Sequence, residues 1–126
     1  MRSERRIRRL VVDDTAPGGT TAYLWSVRHR HHTGEPCHEV LALTREGTTT
    51  TTHLVFRGGE GRFVPDGFLH SGAVALGGHA ALNLHEPGVV RAFVDEAVRR
   101  GLLGGAAELD GWDLFPAVAA ARAADR

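Results

Sequence analysis

The hydrophobic residues of this chain change their spacing once, and the change falls at Pro87. Before it, apolar residues come in alternations and short runs broken by glycine, as in Tyr23, Trp25 and Val27 or Leu54-Val55-Phe56. After it, Val89, Val90, Phe93, Val94, Ala97 and Val98 recur at helical intervals. A period of two is that of a strand and a period of 3.6 that of a helix. Strands first and helices last is the pattern of an α+β fold, in which helices cover one face of a largely antiparallel sheet.

Strands are expected at residues 6–12, 22–32, 37–44 and 50–57, the last favoured by the β-branched run Thr48 to Thr52. Shorter ones are expected at 62–64 and 68–69 about the turn Pro65-Asp66-Gly67, and at 73–76 and 80–84 about Gly77-Gly78. From among these an antiparallel β-meander of five to seven strands is expected. If the first two strands fold as a hairpin with Val12 opposite Ala22, then Val11 faces Tyr23, Arg9 faces Trp25 and Ile7 faces Val27. That face would be core, and Arg6, Arg8, Leu10, Leu24, Ser26, Arg28 and Arg30 would lie on the other. Setting His31 opposite His38 places Arg30 against Glu39, an opposite-charge cross-strand pair.

The strongly periodic helix begins at Pro87, with Glu86 at its positive end, and closes on Arg99-Arg100-Gly101. A second, less regular helix is expected at about residues 114–123, its start marked by Asp110, Trp112 and Asp113, with residues 104–111 as a loop between the two. One α+β domain over residues 1–126 results. In its last third the chain resembles small bacterial α+β domains in which a strand leads into a proline-started helix that ends at glycine. That resemblance implies a fold and no activity.

Composition narrows the partners. Fifteen basic residues, all arginine, balance fifteen acidic ones, so no overall field draws the chain to nucleic acid or an anionic membrane. With no lysine there is no Schiff-base or P-loop lysine chemistry; the arginine, alanine and glycine usage fits a GC-rich genome. A lone cysteine makes no internal disulfide and favours a reducing, cytoplasmic setting. No apolar run approaches the ~18 residues of a membrane span, and Leu10-Val11-Val12 is too short for a signal segment.

Four of the eight histidines, with the cysteine, crowd into residues 29–38. In the register above, His29, His31 and His38 share one face, a three-histidine geometry that suits zinc or another transition metal and leaves a position open for water. His32 and Cys37 fall on the opposite face or in the loop; Cys37 with His38 or His32 as base is a weaker nucleophile candidate, since no oxyanion hole accompanies it. The arginine face of Arg6, Arg8, Arg28 and Arg30, with Arg2 and Arg5 nearby, is a candidate phosphate contact. Tyr23 and Trp25 lie on the other face, away from any base, which disfavours nucleic acid. Gly58-Gly59 and Gly77-Gly78 lack phosphate-loop spacing and read as turns; His85-Glu86 reads as a helix cap. The leading expectation is a small cytoplasmic, non-enzymatic binding domain that takes a protein partner or self-associates as a homodimer. The alternatives are a metal-binding protein or metal-dependent enzyme on His29, His31 and His38, and a nucleic-acid binder on the arginine face.

Overall fold

The computed structural model describes residues 6–13, 18–31, 33–65, 71–105 and 107–124. The fold is α+β, with a mixed five-strand sheet, a three-strand sheet and two helices. In chain order the elements are β1 (Arg8–Asp13), β2 (Thr20–Arg30), β3 (His38–Arg45), β4 (Thr51–Arg57), β5 (Arg62–Phe63), β6 (Ala73–Leu76), β7 (Leu82–Asn83), α1 (Pro87–Arg99), β8 (Ala107–Asp110) and α2 (Gly111–Ala124). The large sheet runs β1-β2-β3-β4-β8 and the small one β5-β6-β7. All pairs are antiparallel except β4 with β8, which run parallel.

Two registers differ from the sequence expectation by one residue. In β1–β2, Arg8 lies opposite Trp25, Leu10 opposite Tyr23 and Val11 opposite Ala22. In β2–β3, His29 lies opposite Glu39, Arg30 opposite His38 and Val27 opposite Leu41. Leu10-Val11-Val12 and Val40 to Leu43 are apolar at consecutive positions, so alternation does not choose between the two registers. Packing chooses. Val12 is buried, whereas Ile7 and Val11, placed in the core by the alternation, are 65% and 44% exposed. Arg8 turns inward instead, its Cζ 4.9 Å from the centre of the Trp25 ring, a cation–π contact.

The core lies between the large sheet and the helices: Tyr23, Trp25, Leu41, Leu43, Leu54 and Phe56 from the strands meet Val89, Val90, Phe93, Val94 and Ala97 of α1 and Trp112, Leu114, Phe115 and Val118 of α2. Phe56 is its hub, edge-on to Phe93 (ring centres 5.4 Å apart) and to Trp112 (5.2 Å). The helix α1 starts as read, with Pro87 in its first turn. It ends at Gly101 (φ +71°), whose N–H donates to Val98 O while Leu102 N–H donates to Ala97 O. Glu86 stands at the N-cap position without a side-chain capping bond; its carboxylate faces Arg122 of α2 at 3.7 Å.

The segment read as a loop between the helices contains β8, which adds to the free edge of β4. There Asp110 Oδ1 accepts from Trp112 N–H at the start of α2 (3.0 Å), and the Trp112 indole donates to Arg57 O (2.8 Å). The residues that span Gly77-Gly78 form a longer connection than a two-residue hairpin, since Val74 pairs with Leu82. The turn at Asp66-Gly67 and the strand expected at 68–69 lie outside the described residues. No helix among those described is long and apolar enough to cross a membrane.

Candidate functional site: the open face of the large sheet

Strand alternation gives the large sheet two faces, and the helices take only one. On the other, Ser26, Ala42 and His53 form one cross-strand row, Val40 and Val55 the next, and Arg30, His38 and Arg57 the third. Val40 and Val55 are only 3% and 4% exposed, yet they stand outside the hydrophobic core cluster. What shields them is the charged and polar rim of the same face. A depression of about 380 Å³ opens here, floored by the two valines and walled by Arg30, His38, His53, Arg57 and Glu108, all from β2, β3, β4 and β8. Long side chains laying apolar stems over small residues while their heads reach water is ordinary behaviour for arginine.

The charge of this depression is lopsided. Arg30 has no ion-pair partner among the described residues, and Arg57 is paired with Glu108. Glu108 is held below the usual carboxylate range by the hydrogen bond and charge of Arg57, with His38 and His53 adding to the effect. Two guanidinium groups and two imidazoles thus surround one acid, and that acid is already occupied by Arg57. Arg28, opposite Val40, extends the cationic side toward β2.

The expected histidine trio does not share a face. His29 follows the core side of β2, His31 lies just past the end of that strand, and the one-residue slip moves His38 to the open face beside Arg30. The same slip carries Glu39 inward, opposite His29. Glu39 is fully buried: its Oε1 pairs with His29 Nδ1, and its Oε2 accepts from Gly72 N–H at 3.0 Å. A carboxylate only accepts, so when Glu39 is ionised Nδ1 of His29 carries the proton. His31 Nδ1 lies 2.8 Å from Cys37 Sγ, so the cysteine's partner is His31 rather than His38. His32 lies outside the described residues. Among those described, no three His, Cys, Asp or Glu side chains gather as a metal-ligand set.

The arginine face divides in the same way. Arg8 is turned to the core side, where it also donates to His85 O at 3.0 Å, while Arg28 and Arg30 remain on the open face. Arg9, read as a core-side residue, lies on the open face as well, with two hydrogen bonds of 2.9 Å to Glu46. Arg6 is exposed, and Arg2 and Arg5 lie outside the described residues. His85 sits against Gly72, and its Nε2 lies 3.3 Å from Ser71 Oγ. Sequence reasoning missed His53, Arg57 and Glu108. His53 and Arg57 sit in one strand four residues apart, a signal that alternation could have found; Glu108 required knowing that β8 exists. No family model, curated protein or solved structure matches this chain.

Proposed function

We propose that this chain is a protein-binding module that works without catalysis and seats an acidic segment of its partner on the open face of the large sheet. The observation that carries the reading is the depression over Val40 and Val55, with an apolar floor and a rim of Arg30, Arg57, His38 and His53 against the single acid Glu108. Opposite charge steers encounter and sets register, and the valine floor supplies apolar area that an aliphatic side chain between two carboxylates would cover. Tyr23 and Trp25 are buried on the far side, so the open face lacks the stacking platform that single-stranded nucleic acid uses. A lone cysteine supports a reducing compartment such as the cytoplasm.

The test is a titration, followed by backbone amide shifts, with a peptide that alternates Glu with Leu, a Lys/Leu peptide of equal length, and a single-stranded oligonucleotide. The acidic peptide is expected to bind and to shift residues of β3, β4 and β8. Arg30→Glu combined with Arg57→Glu should weaken it by about tenfold or more, in keeping with the loss of two interfacial charges. Equal binding of both peptides overturns the reading, and preferential binding of the oligonucleotide replaces it with nucleic-acid recognition.

A second reading, metal binding, is supported by the Glu39 contact. A carboxylate that holds Nδ1 of a histidine orients Nε2 outward as a ligand, and His31 follows two residues later, just past the end of β2. Under this reading the untagged protein carries a stoichiometric transition metal that His29→Ala or His31→Ala removes. Absence of metal by elemental analysis, with a melting temperature unmoved by added zinc or nickel, overturns it.

A further inference from the structure

We infer that two copies of this chain pair through β1, antiparallel and centred on Val11, so that their five-strand sheets join into one. This dimer uses a different part of the molecule from the basic depression. β1 is the end strand of the large sheet, and β2 is its only strand partner among the described residues. The other end is β8, a four-residue strand that runs directly into α2. Natural sheets guard such an edge with charged side chains, proline or bulges. The two arginines of β1 do not guard it. Arg8 is drawn inward over Trp25 and onto His85 O, and Arg9 is laid across the open face onto Glu46. Apart from Asp13 at its end, what β1 and the residue before it leave exposed is apolar: Ile7 and Val11 are two of the four large hydrophobic side chains most exposed among those described.

The strand is also complementary to itself. A two-fold axis through Val11, normal to the sheet, sets Val11 opposite Val11, Arg9 opposite Asp13 and Leu10 opposite Val12 of the second copy. The open face then shows a valine pair flanked on both sides by an Arg–Asp pair, and the core side shows two Leu–Val pairs. Cross-strand pairs of these kinds stabilise a ladder, and like charges directly opposite destabilise it. Centring on Leu10 instead would set Arg9 against Val11 and Arg8 against Val12, which leaves the arginines facing valines. Charge complementarity therefore selects the Val11 register. Arg9 already holds Glu46 and Asp13 already touches Arg91 of α1 at 3.5 Å, but all four side chains are exposed, so exchanging or sharing these surface pairs costs little. A ladder of five residues per copy is small beside a standard interface, which places this dimer among weak, concentration-dependent associations.

The experiment uses the full chain on a Cys37→Ser background. Sedimentation equilibrium across a wide concentration range is expected to show mass rising from 13.6 kDa toward twice that value, and Val11→Lys is expected to hold it at the monomer with an unchanged circular-dichroism melt. Under mild oxidation Val11→Cys should cross-link to a dimer, because opposed Cα atoms in an antiparallel ladder are about 4.5–5.5 Å apart. Arg9→Cys should not, since the two copies of that residue lie about 13 Å apart along the ladder. A mass that stays monomeric at every concentration overturns the inference. So does a dimer in which Arg9→Cys cross-links as readily as Val11→Cys. Val11→Lys should still bind the acidic peptide, which keeps failure of the dimer separate from failure of the open-face reading.

Discussion

Glu39 is the residue on which the local structure turns. Its fully buried carboxylate ties β3 to β2 through His29 and to the start of β6 through the Gly72 amide. A buried carboxyl group is tolerated only where hydrogen bonds satisfy it, and His29 Nδ1 and the Gly72 amide do so here. Glu39→Ala is expected to destabilise the fold by about 1–3 kcal/mol from the orphaned Gly72 amide alone. Glu39→Gln should cost less, because an amide oxygen still accepts that N–H. His29→Ala removes one of the two hydrogen-bond partners of the buried carboxyl group and should cost about 1–3 kcal/mol. The cost of the Glu39→Ala, His29→Ala double variant should fall short of the sum of the two single variants. Urea unfolding of the four proteins checks this, and additive costs would sink the coupling. Little of the arrangement was legible in the sequence. Arg30–Glu39 is as good an ion pair on paper as His29–Glu39, and only the inward packing of Leu41 and Leu43 decides between them.

Among the elements, α1 was the most legible and β8 the least. Val89 to Ala97 carry a helical stripe that needs no partner to be recognised, and Pro87 and Gly101 mark its ends. The four residues Ala107 to Asp110 carry no such signal. They form a strand because β4 offers an unpaired edge and because α2 must begin beside Phe56. Gly111 records how close that approach is: a Cβ there would lie 2.4 Å from the Phe56 ring. The ring is packed against Phe93 and Trp112 and has no easy retreat. Gly111→Ala is therefore expected to cost about 1–3 kcal/mol by overpacking, although alanine is the better helix former. A Tm equal to or above that of the parent would show that α2 shifts freely and that the contact does not constrain it.

At the scale of the whole molecule, charge is arranged as surface pairs rather than as a global field. Glu46, Glu96 and Glu108 are each held below the usual carboxylate range by hydrogen bonds from Arg9, from Arg99 and Arg100, and from Arg57 respectively. A carboxylate whose folded pKa lies below its unfolded value contributes stability above the unfolded value, and loses it as pH falls through the folded one. Asp95 has the opposite sign: desolvation raises its pKa, so its cost is present at neutral pH and is relieved on acidification. The stability difference between the parent chain and Glu96→Gln should therefore be constant above about pH 5 and shrink toward zero below about pH 4, and it should be smaller throughout in high salt. Denaturant unfolding across that pH range checks it; a difference that persists at low pH would mean that Glu96 acts through packing and not through charge.

The sequence by itself determined the class of fold, the long helix and most of the strands, because these depend on side-chain periodicity and on the conformations of proline and glycine, which are local. Tertiary structure decided which face each strand turns inward. Where apolar residues stand side by side, as in Leu10-Val11-Val12 and Val40 to Leu43, a slip of one residue leaves the local pattern equally good, and the choice passes to the packing of Trp25, Leu41 and Phe56 against the helices. That one-residue choice separated His38 from His29, brought Glu39 to His29, and left Arg30, His38, His53 and Arg57 around two valines on the open face.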